Sequence, residues 1–117
     1  MNEKITVYQK PTCSKCRAAL KLLQNHEVEC EAINYYEVPL AAEELRSLLQ
    51  KLGLAAKDLI RRDEPLARQL GIGQKDFSEA ELIDLMIQHP DLMQRPIVVR
   101  GNQAVLGRPV EQIEKLL

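Results

Sequence analysis

The chain contains few aromatic residues and no tryptophan. Three tyrosines and one phenylalanine make up 3% of its 117 residues, so aliphatic side chains must form most of the core. There is no apolar run long enough to span a membrane, and no signal-peptide core follows Met1. We therefore expect a cytoplasmic protein with no membrane partner. The formal net charge of −1 gives no basis for general nucleic-acid binding.

Cysteines are few, and their number is odd. Three cysteines argue against a disulfide framework, and in the reducing cytosol a C-x-x-C pair is more often catalytic or metal-binding. No second C-x-x-C accompanies Cys13 and Cys16, and His26 and His89 lack the spacing of zinc ligands. No metal site is expected. The Cys-x5-Arg anion loop of phosphatase-like enzymes is also absent, because the sixth residue after Cys13 is Ala19.

The most informative residue present is Cys13, on a predicted turn between a strand and a helix. A thiol at this junction meets the unpaired N–H groups and the positive dipole end of the helix, which favour the thiolate. Lys10, Lys15 and Arg17 add positive charge nearby. Because the thiolate is the reactive species, Cys13 is predicted to be nucleophilic at neutral pH. Cys30, by contrast, is expected to be a small buried apolar residue in a strand.

Hydrophobic periodicity predicts a strand, a helix and a second strand at the start of the chain. The first strand covers residues 5–8, the helix runs from 14 to about 25, and the second strand lies within 28–36. This order favours two parallel strands joined by a right-handed crossover.

Helical patterns dominate the middle of the chain. They are predicted over residues 45–52, over 55–60, in a stretch that ends near 71, and over 79–89. Gly53 is a natural C-terminal stop for the first of these helices. Ser78 and Glu81 match a capping box at the start of the last one, with Phe77 and Leu82 as its hydrophobic staple.

Two strands and a final helix complete the predicted order. Residues 96–99 and 104–106 are predicted strands around the turn Gly101-Asn102, and a helix over 110–117 follows Pro109. The predicted order is that of the thioredoxin arrangement: strand, helix, strand, helices, strand, strand, helix. We therefore predict an α/β, thioredoxin-like fold, one domain over residues 1–117, with an inserted helical subdomain at approximately 38–90.

Five short motifs extend over nearly the whole chain in a fixed order. They are Tyr8-x-x-Pro11-x-Cys13-Ser14-Lys15, Leu59-Ile60-Arg61, Gln88-His89-Pro90, Arg95-Pro96-Ile97-Val98-Val99 and Gly107-Arg108-Pro109. Together they resemble the ArsC family of glutaredoxin-linked arsenate reductases, which act in arsenic detoxification, and in particular its short ArsC-related members.

The resemblance implies a role for each matching residue. Cys13 would attack arsenate, and Arg61, Arg95 and Arg108 would bind the oxyanion, for which forked guanidinium donors are suited. Pro96 would follow a cis peptide bond beside the active cysteine. Glutathione would be the co-substrate and glutaredoxin the partner, with no tightly bound cofactor and a monomeric protein.

Two positions depart from the family pattern. Gln9-Lys10 stands where the family commonly has His-Asn, and Lys10 could partly replace the charge of the lost imidazole. Cys16 stands where these reductases usually carry Ser or Thr, and it could act as an internal resolving thiol. Two alternatives therefore remain open: a C-x-x-C thiol–disulfide oxidoreductase, and a redox-switched regulator similar to Spx, which binds RNA polymerase. Spx proteins lack the Gly-Arg-Pro motif, so Arg108 favours the reductase.

Overall fold

The computed structural model describes residues 4–10 and 14–117. Its elements follow in the order β1 (Ile5–Gln9), α1 (Ser14–Asn25), β2 (Cys30–Asn34), α2 (Ala42–Leu52), α3 (Ala56–Leu59), α4 (Pro65–Gln69), α5 (Glu79–Gln88), a 3-10 turn (Pro90–Leu92), β3 (Ile97–Arg100), β4 (Gln103–Leu106) and a C-terminal 3-10 helix (Val110–Leu116). The mixed α/β order is the one predicted from periodicity. None of the helices in these described residues is long and apolar enough to cross a membrane.

The chain divides into two compact units. The first consists of Met1–Val38 and Arg95–Leu117, and the second of Pro39–Gln94. The first unit contains the sheet, and the second contains α2 to α5. The predicted helical insertion therefore corresponds to the second unit in sequence position, whereas the single-domain assignment stays a prediction.

The sheet of the first unit has the strand order β2-β1-β3-β4. Strand β1 pairs with β2 in parallel, as the strand-helix-strand pattern predicts. It pairs with β3 antiparallel, with Val7 opposite Val98, and β3 continues antiparallel into β4. This order places β1 and β3 in the interior of the sheet and β2 and β4 at its edges.

Aliphatic side chains form the core of the first unit, as the shortage of aromatics requires. Alternate residues of β1, Ile5 and Val7, are fully buried. They pack in one cluster with side chains of α1, β3 and the C-terminal helix: Ala19, Leu23, Val98, Ile113 and Leu116. The sheet is therefore covered on this face by α1 and the chain terminus.

Two details of the first unit differ from the sequence expectation. The C-terminal helix is a 3-10 helix, with Ile113 and Leu116 both buried. Because a 3-10 helix has three residues per turn, this spacing places both side chains on one face. Cys30 is only half-buried, because β2 is an edge strand. Burial still raises the pKa of its thiol.

The second unit is organised by helix caps and an apolar interior. Ser78, the residue before α5, has an extended backbone. Its Oγ accepts a hydrogen bond from Glu81 N at 3.1 Å, and Glu81 Oε1 accepts one from Ser78 N at 3.0 Å. The predicted capping box is thus confirmed, and these hydrogen bonds lower the pKa of Glu81. Glu79 Oε1 also accepts from Ala56 N at 2.8 Å, which joins α5 to α3.

The end of β4 is attached closely to the start of β3. Gly107 N donates to Pro96 O at 2.9 Å. A Cβ atom at Gly107 would lie 2.7 Å from Pro96 Cγ and 3.3 Å from Ile113 Cδ1, so only glycine fits this approach. The Arg95–Pro96 bond is cis, as the resemblance implied, and the Arg108–Pro109 bond is also cis.

Replacing Ser78 by alanine is expected to destabilise the protein through the start of α5. Loss of the cap should lower the free energy of unfolding by about 1 kcal/mol, measured by urea denaturation. Ser47→Ala, an exposed serine within α2, is the matched control and should be neutral or slightly stabilising, because alanine is the better helix former. Equal losses in the two variants would contradict the capping assignment.

Adding a methyl group at Gly107 is expected to force β4 away from Pro96. Gly107→Ala should lower the free energy of unfolding by about 1–3 kcal/mol, as overpacking does, and Gly107→Ser should lower it further. Thermal and urea unfolding of the two variants would measure the series. Stability equal to that of the wild type in both would show that the approach of the two segments is loose.

Candidate functional site

The junction that carries the predicted nucleophile lies between β1 and α1. Strand β1 ends at Gln9 and α1 begins at Ser14, as the sequence predicts. Cys13 itself lies outside the described residues, and its role as a nucleophile stays a prediction. Residues 4–10 precede this segment in the sequence of the first unit, and residues 14–38 follow it.

Arg95 and Arg108, which are 13 positions apart in the chain, are brought together by a direct hydrogen bond. Arg108 Nε donates to Arg95 O at 2.8 Å. The Arg95 side chain is 9% exposed, with Nε and Nη1 buried, and Arg108 is half-buried. Because only Nε–H of Arg108 is used in this bond, its two terminal nitrogens can still serve an oxyanion. The structure therefore pairs two of the three predicted oxyanion-binding arginines.

A tyrosine that the sequence analysis did not single out lies beside Arg95. Tyr35 is 2% exposed and follows β2 directly. Burial raises the pKa of Tyr35 to about 12, while the adjacent Arg95 guanidinium acts in the opposite direction. The hydroxyl is close enough for this effect, but it makes no hydrogen bond of ordinary length and angle with a described residue.

Cys16 lies in the same unit as Tyr35 and Arg95. It is the third residue of α1 and is fully buried. Its thiol lies near enough to Tyr35 that a charge on the sulfur would raise the pKa of the tyrosine further. Cys16 is thus enclosed within the first unit, and the resolving role suggested by the C-x-x-C spacing stays a prediction.

The residues that replace the family's His-Asn pair occupy different environments. Gln9 ends β1 and is 7% exposed, with Oε1 buried and not hydrogen-bonded to any described residue. Lys10 Nζ lies 4.8 Å from the centroid of the Tyr36 ring, a cation–π contact. The Tyr36 ring is in turn 5.0 Å from that of Tyr35, centroid to centroid. Lys10 therefore places positive charge over the Tyr36 ring, and its supporting role stays a prediction.

Arg61 lies in the second unit. Its backbone N donates to Leu92 O at 2.7 Å, and its Nη1 is 3.9 Å from Glu64 Oε2, a loose ion pair. The side chain is half-buried, and Nε is buried with no hydrogen-bond partner among residues 4–10 and 14–117. The next residue, Arg62, is exposed. The assignment of Arg61, rather than Arg62, as an oxyanion ligand stays a prediction.

Tyr35 could not have been chosen from its residue type alone. Tyr35 and Tyr36 are adjacent at the end of a strand pattern, and either could point inward. The available signal was the alternation of the strand, which becomes unreliable where the strand ends.

Within the described part of the chain, no group of three or more His, Cys, Asp or Glu side chains is placed to hold a metal ion.

Comparisons with known proteins show similarity over nearly the whole chain. The ArsC family profile matches residues 8–116. The chain is 37% identical to an arsenate reductase of Neisseria meningitidis over 97% of both proteins, and 41% identical to the uncharacterized protein YfgD of Escherichia coli over 100% of this chain and 99% of the relative.

Solved structures show the same fold. The arsenate reductase from Vibrio cholerae superposes with a TM-score of 0.95 at 38% identity, over 100% of both chains. A putative arsenate reductase from Yersinia pestis superposes with a TM-score of 0.90 at 35% identity, over 95% of this chain and 98% of that one. The predicted thioredoxin-like class is thereby confirmed, and with a profile match over nearly its full length the chain belongs to the ArsC family of arsenate reductases.

Proposed function

We propose that this protein reduces arsenate to arsenite, with Cys13 as the nucleophile and with glutathione and glutaredoxin as reductants. The observation that supports it best is the hydrogen-bonded pair Arg95 and Arg108, located in the unit that also contains the junction of β1 and α1. The bond fixes the Arg108 guanidinium at the backbone of Arg95, and a tetrahedral oxyanion offers the oxygens that the forked donors of both arginines match.

The first chemical step is attack of the Cys13 thiolate on arsenic. A sulfur–arsenic bond forms and one oxygen leaves as water after taking up protons, so that arsenic remains pentavalent in the covalent adduct. Negative charge accumulates on the remaining oxygens during this step. Arg95 and Arg108 would offset that charge, which is where their contribution to the rate should be largest. The family resemblance implies the same role for Arg61.

The second step transfers two electrons to arsenic. The thiolate of glutathione attacks the Cys13 sulfur, the electron pair of the sulfur–arsenic bond stays on arsenic, and trivalent arsenite leaves. The two sulfurs are oxidised together to a Cys13–glutathione mixed disulfide. Glutaredoxin then takes over the glutathione group by thiol–disulfide exchange and restores the Cys13 thiolate. No tightly bound cofactor is needed, and the reaction suits the reducing cytosol.

Cys16 offers a different route for the second step. Its thiol could attack a mixed disulfide at Cys13 and close an internal disulfide, which would make the protein a thiol–disulfide oxidoreductase or a redox switch. Cys16 is fully buried in α1, so such a reaction would require the first turn of the helix to open. This requirement makes glutathione, a small thiol from solution, the favoured resolving agent.

Exchanging each cysteine for serine distinguishes the two routes. Arsenite formation with glutathione and glutaredoxin should fall by at least about a thousandfold in Cys13→Ser, because the nucleophile is lost. Cys16→Ser should retain activity within about threefold. A wild-type protein without arsenate turnover that forms a Cys13–Cys16 disulfide would instead be an oxidoreductase or a regulator, and capture of RNA polymerase would then identify the regulator.

Adjacent arginines in the second unit provide a matched pair for testing oxyanion binding. Arg61→Lys should lower kcat/KM for arsenate by about 10- to 100-fold, because lysine retains the charge but not the forked donor geometry. Arg62→Lys, the control at an exposed position, should stay within about twofold. Steady-state kinetics at fixed glutathione and glutaredoxin would measure both, and equal effects would remove Arg61 from the site.

A further inference from the structure

The exposed side of α1 carries positive charges and no negative one. Lys15, Arg17 and Lys21, which together form the basic face of α1, are all exposed. Ala19 and Leu23, on the opposite side of the helix, pack into the core of the first unit. No acidic residue occurs in α1, and none of the three cations forms an ion pair with any residue in the ranges 4–10 and 14–117. The basic face is therefore a local concentration of uncompensated charge in a chain whose formal net charge is −1.

The position of these charges opposes the stability of the helix. The N-terminal end of a helix is the positive end of its dipole, where acidic side chains stabilise and basic side chains destabilise. Lys15 and Arg17 occupy the first turn of α1, which has no acidic residue. The helices α2 and α5 follow the favourable pattern, with two glutamates each in the first turn. Helix stability therefore does not account for the charges of α1.

Arg17 and Lys21 are a like-charge pair four residues apart. Side chains at this spacing are neighbours on the surface of a helix, and two charges of the same sign there destabilise it. A glutamate at position 21 would replace the repulsion by an attraction. Folding alone thus gives no reason for a lysine at this position.

Activation of the predicted nucleophile explains part of the basic face but not Lys21. Lys15 and Arg17 are close in sequence to Cys13, and their charges are expected to favour its thiolate. Lys21 lies seven residues beyond Ser14, which is about 10 Å along the helix axis. This distance is longer than the Debye length of about 8 Å at physiological ionic strength, so an exposed charge at position 21 has little effect on a thiol before Ser14. A surface that a partner covers would use all three cations.

We propose that the basic face of α1 is the docking surface for the glutaredoxin of the proposed function, which would present an acidic surface beside its reactive thiol. The inference rests on the proposed function, because the exchange step at Cys13 is what brings a partner protein to this helix. Cys13 directly precedes α1 in the chain, so a protein whose thiol reaches the Cys13 region approaches the first turns of α1. Charge complementarity at such a contact speeds association and fixes its orientation.

The exchange step requires an oriented partner but no additional reductant. The partner's thiolate attacks the glutathione sulfur of the Cys13–glutathione disulfide, and a new disulfide forms between the partner and glutathione. The electron pair of the broken bond leaves with the Cys13 thiolate, so one disulfide and one thiolate are present before and after the step. Because the three sulfurs must align for this displacement, a contact that orients the partner increases the rate.

Reversing the charge at Lys21 tests the docking surface. The measured reaction is reduction of the Cys13–glutathione disulfide by glutaredoxin, in a protein with Cys16→Ser and Cys30→Ser so that Cys13 is the only cysteine left. Lys21→Glu should lower the second-order rate constant about 10-fold at low salt and by less than about twofold at ~0.5 M salt, where the charges are screened. The temperature of unfolding should be unchanged or higher, because the repulsion between positions 17 and 21 is removed.

Two controls separate docking from a change at Cys13 itself. Lys57→Glu reverses an exposed lysine of α3 with the same change in net charge, and the rate should change by less than about twofold. Dithiothreitol, a small uncharged reductant, needs no docking surface and should reduce every variant within about twofold of the wild-type rate. A Lys21→Glu protein that reacts with glutaredoxin at the wild-type rate would overturn the proposal. An equal loss in Lys57→Glu, or with dithiothreitol, would overturn it as well.

The same measurements distinguish the docking surface from the proposed function. A wild-type mixed disulfide that glutaredoxin does not reduce would overturn both the docking surface and glutaredoxin as the reductant. Arsenate reduction that is limited by glutaredoxin and unchanged in Lys21→Glu would overturn the docking surface alone. A wild-type protein that does not reduce arsenate, but whose mixed disulfide is reduced through Lys21, would overturn arsenate as the substrate and retain the docking surface.

Discussion

The two predicted site arginines of the first unit are positioned by the hydrogen bonds that join the end of β4 to the start of β3. Gly107 N donates to Pro96 O, and Arg108 Nε donates to Arg95 O. The antiparallel hairpin makes this contact possible, because it returns the chain to the residues just before β3. The absence of a side chain at Gly107 then permits the close approach. Two arginines distant in sequence become neighbours as a result of one tight turn and one glycine.

Much of this fold is readable from local sequence patterns. The capping box at Ser78 and the three- and four-residue spacing of leucines in α2 are local signals, and both elements form where the patterns predict. The C-terminal helix was predicted as a helix but not as a 3-10 helix. Its type depends on the core that receives Ile113 and Leu116, and a pattern over seven residues does not contain that information.

The site was less accessible to sequence analysis, since its residues are selected by tertiary contacts. Nothing in the residue types separates Arg61 from Arg62 or Tyr35 from Tyr36. In each pair, one side chain is enclosed and its neighbour is more exposed or faces a different group. The motif match could select Arg61, because it compares whole segments. Tyr35 became recognisable only from its burial in the folded chain and from the effect of the Arg95 charge on its pKa.

Burial would strengthen the effect of the predicted site arginines on an oxyanion, and it also limits how their charges can be held. A guanidinium removed from water attracts an oxyanion more strongly than an exposed one, because the local dielectric constant is lower. Removal from water is itself unfavourable, and pairing with a carboxylate would compensate it while weakening the attraction for substrate. Arg108 is held in a way that avoids this conflict, because its Nε donates to the backbone carbonyl of Arg95. A backbone carbonyl constrains the Arg108 guanidinium without neutralising it, so its positive charge would remain available to the proposed oxyanion.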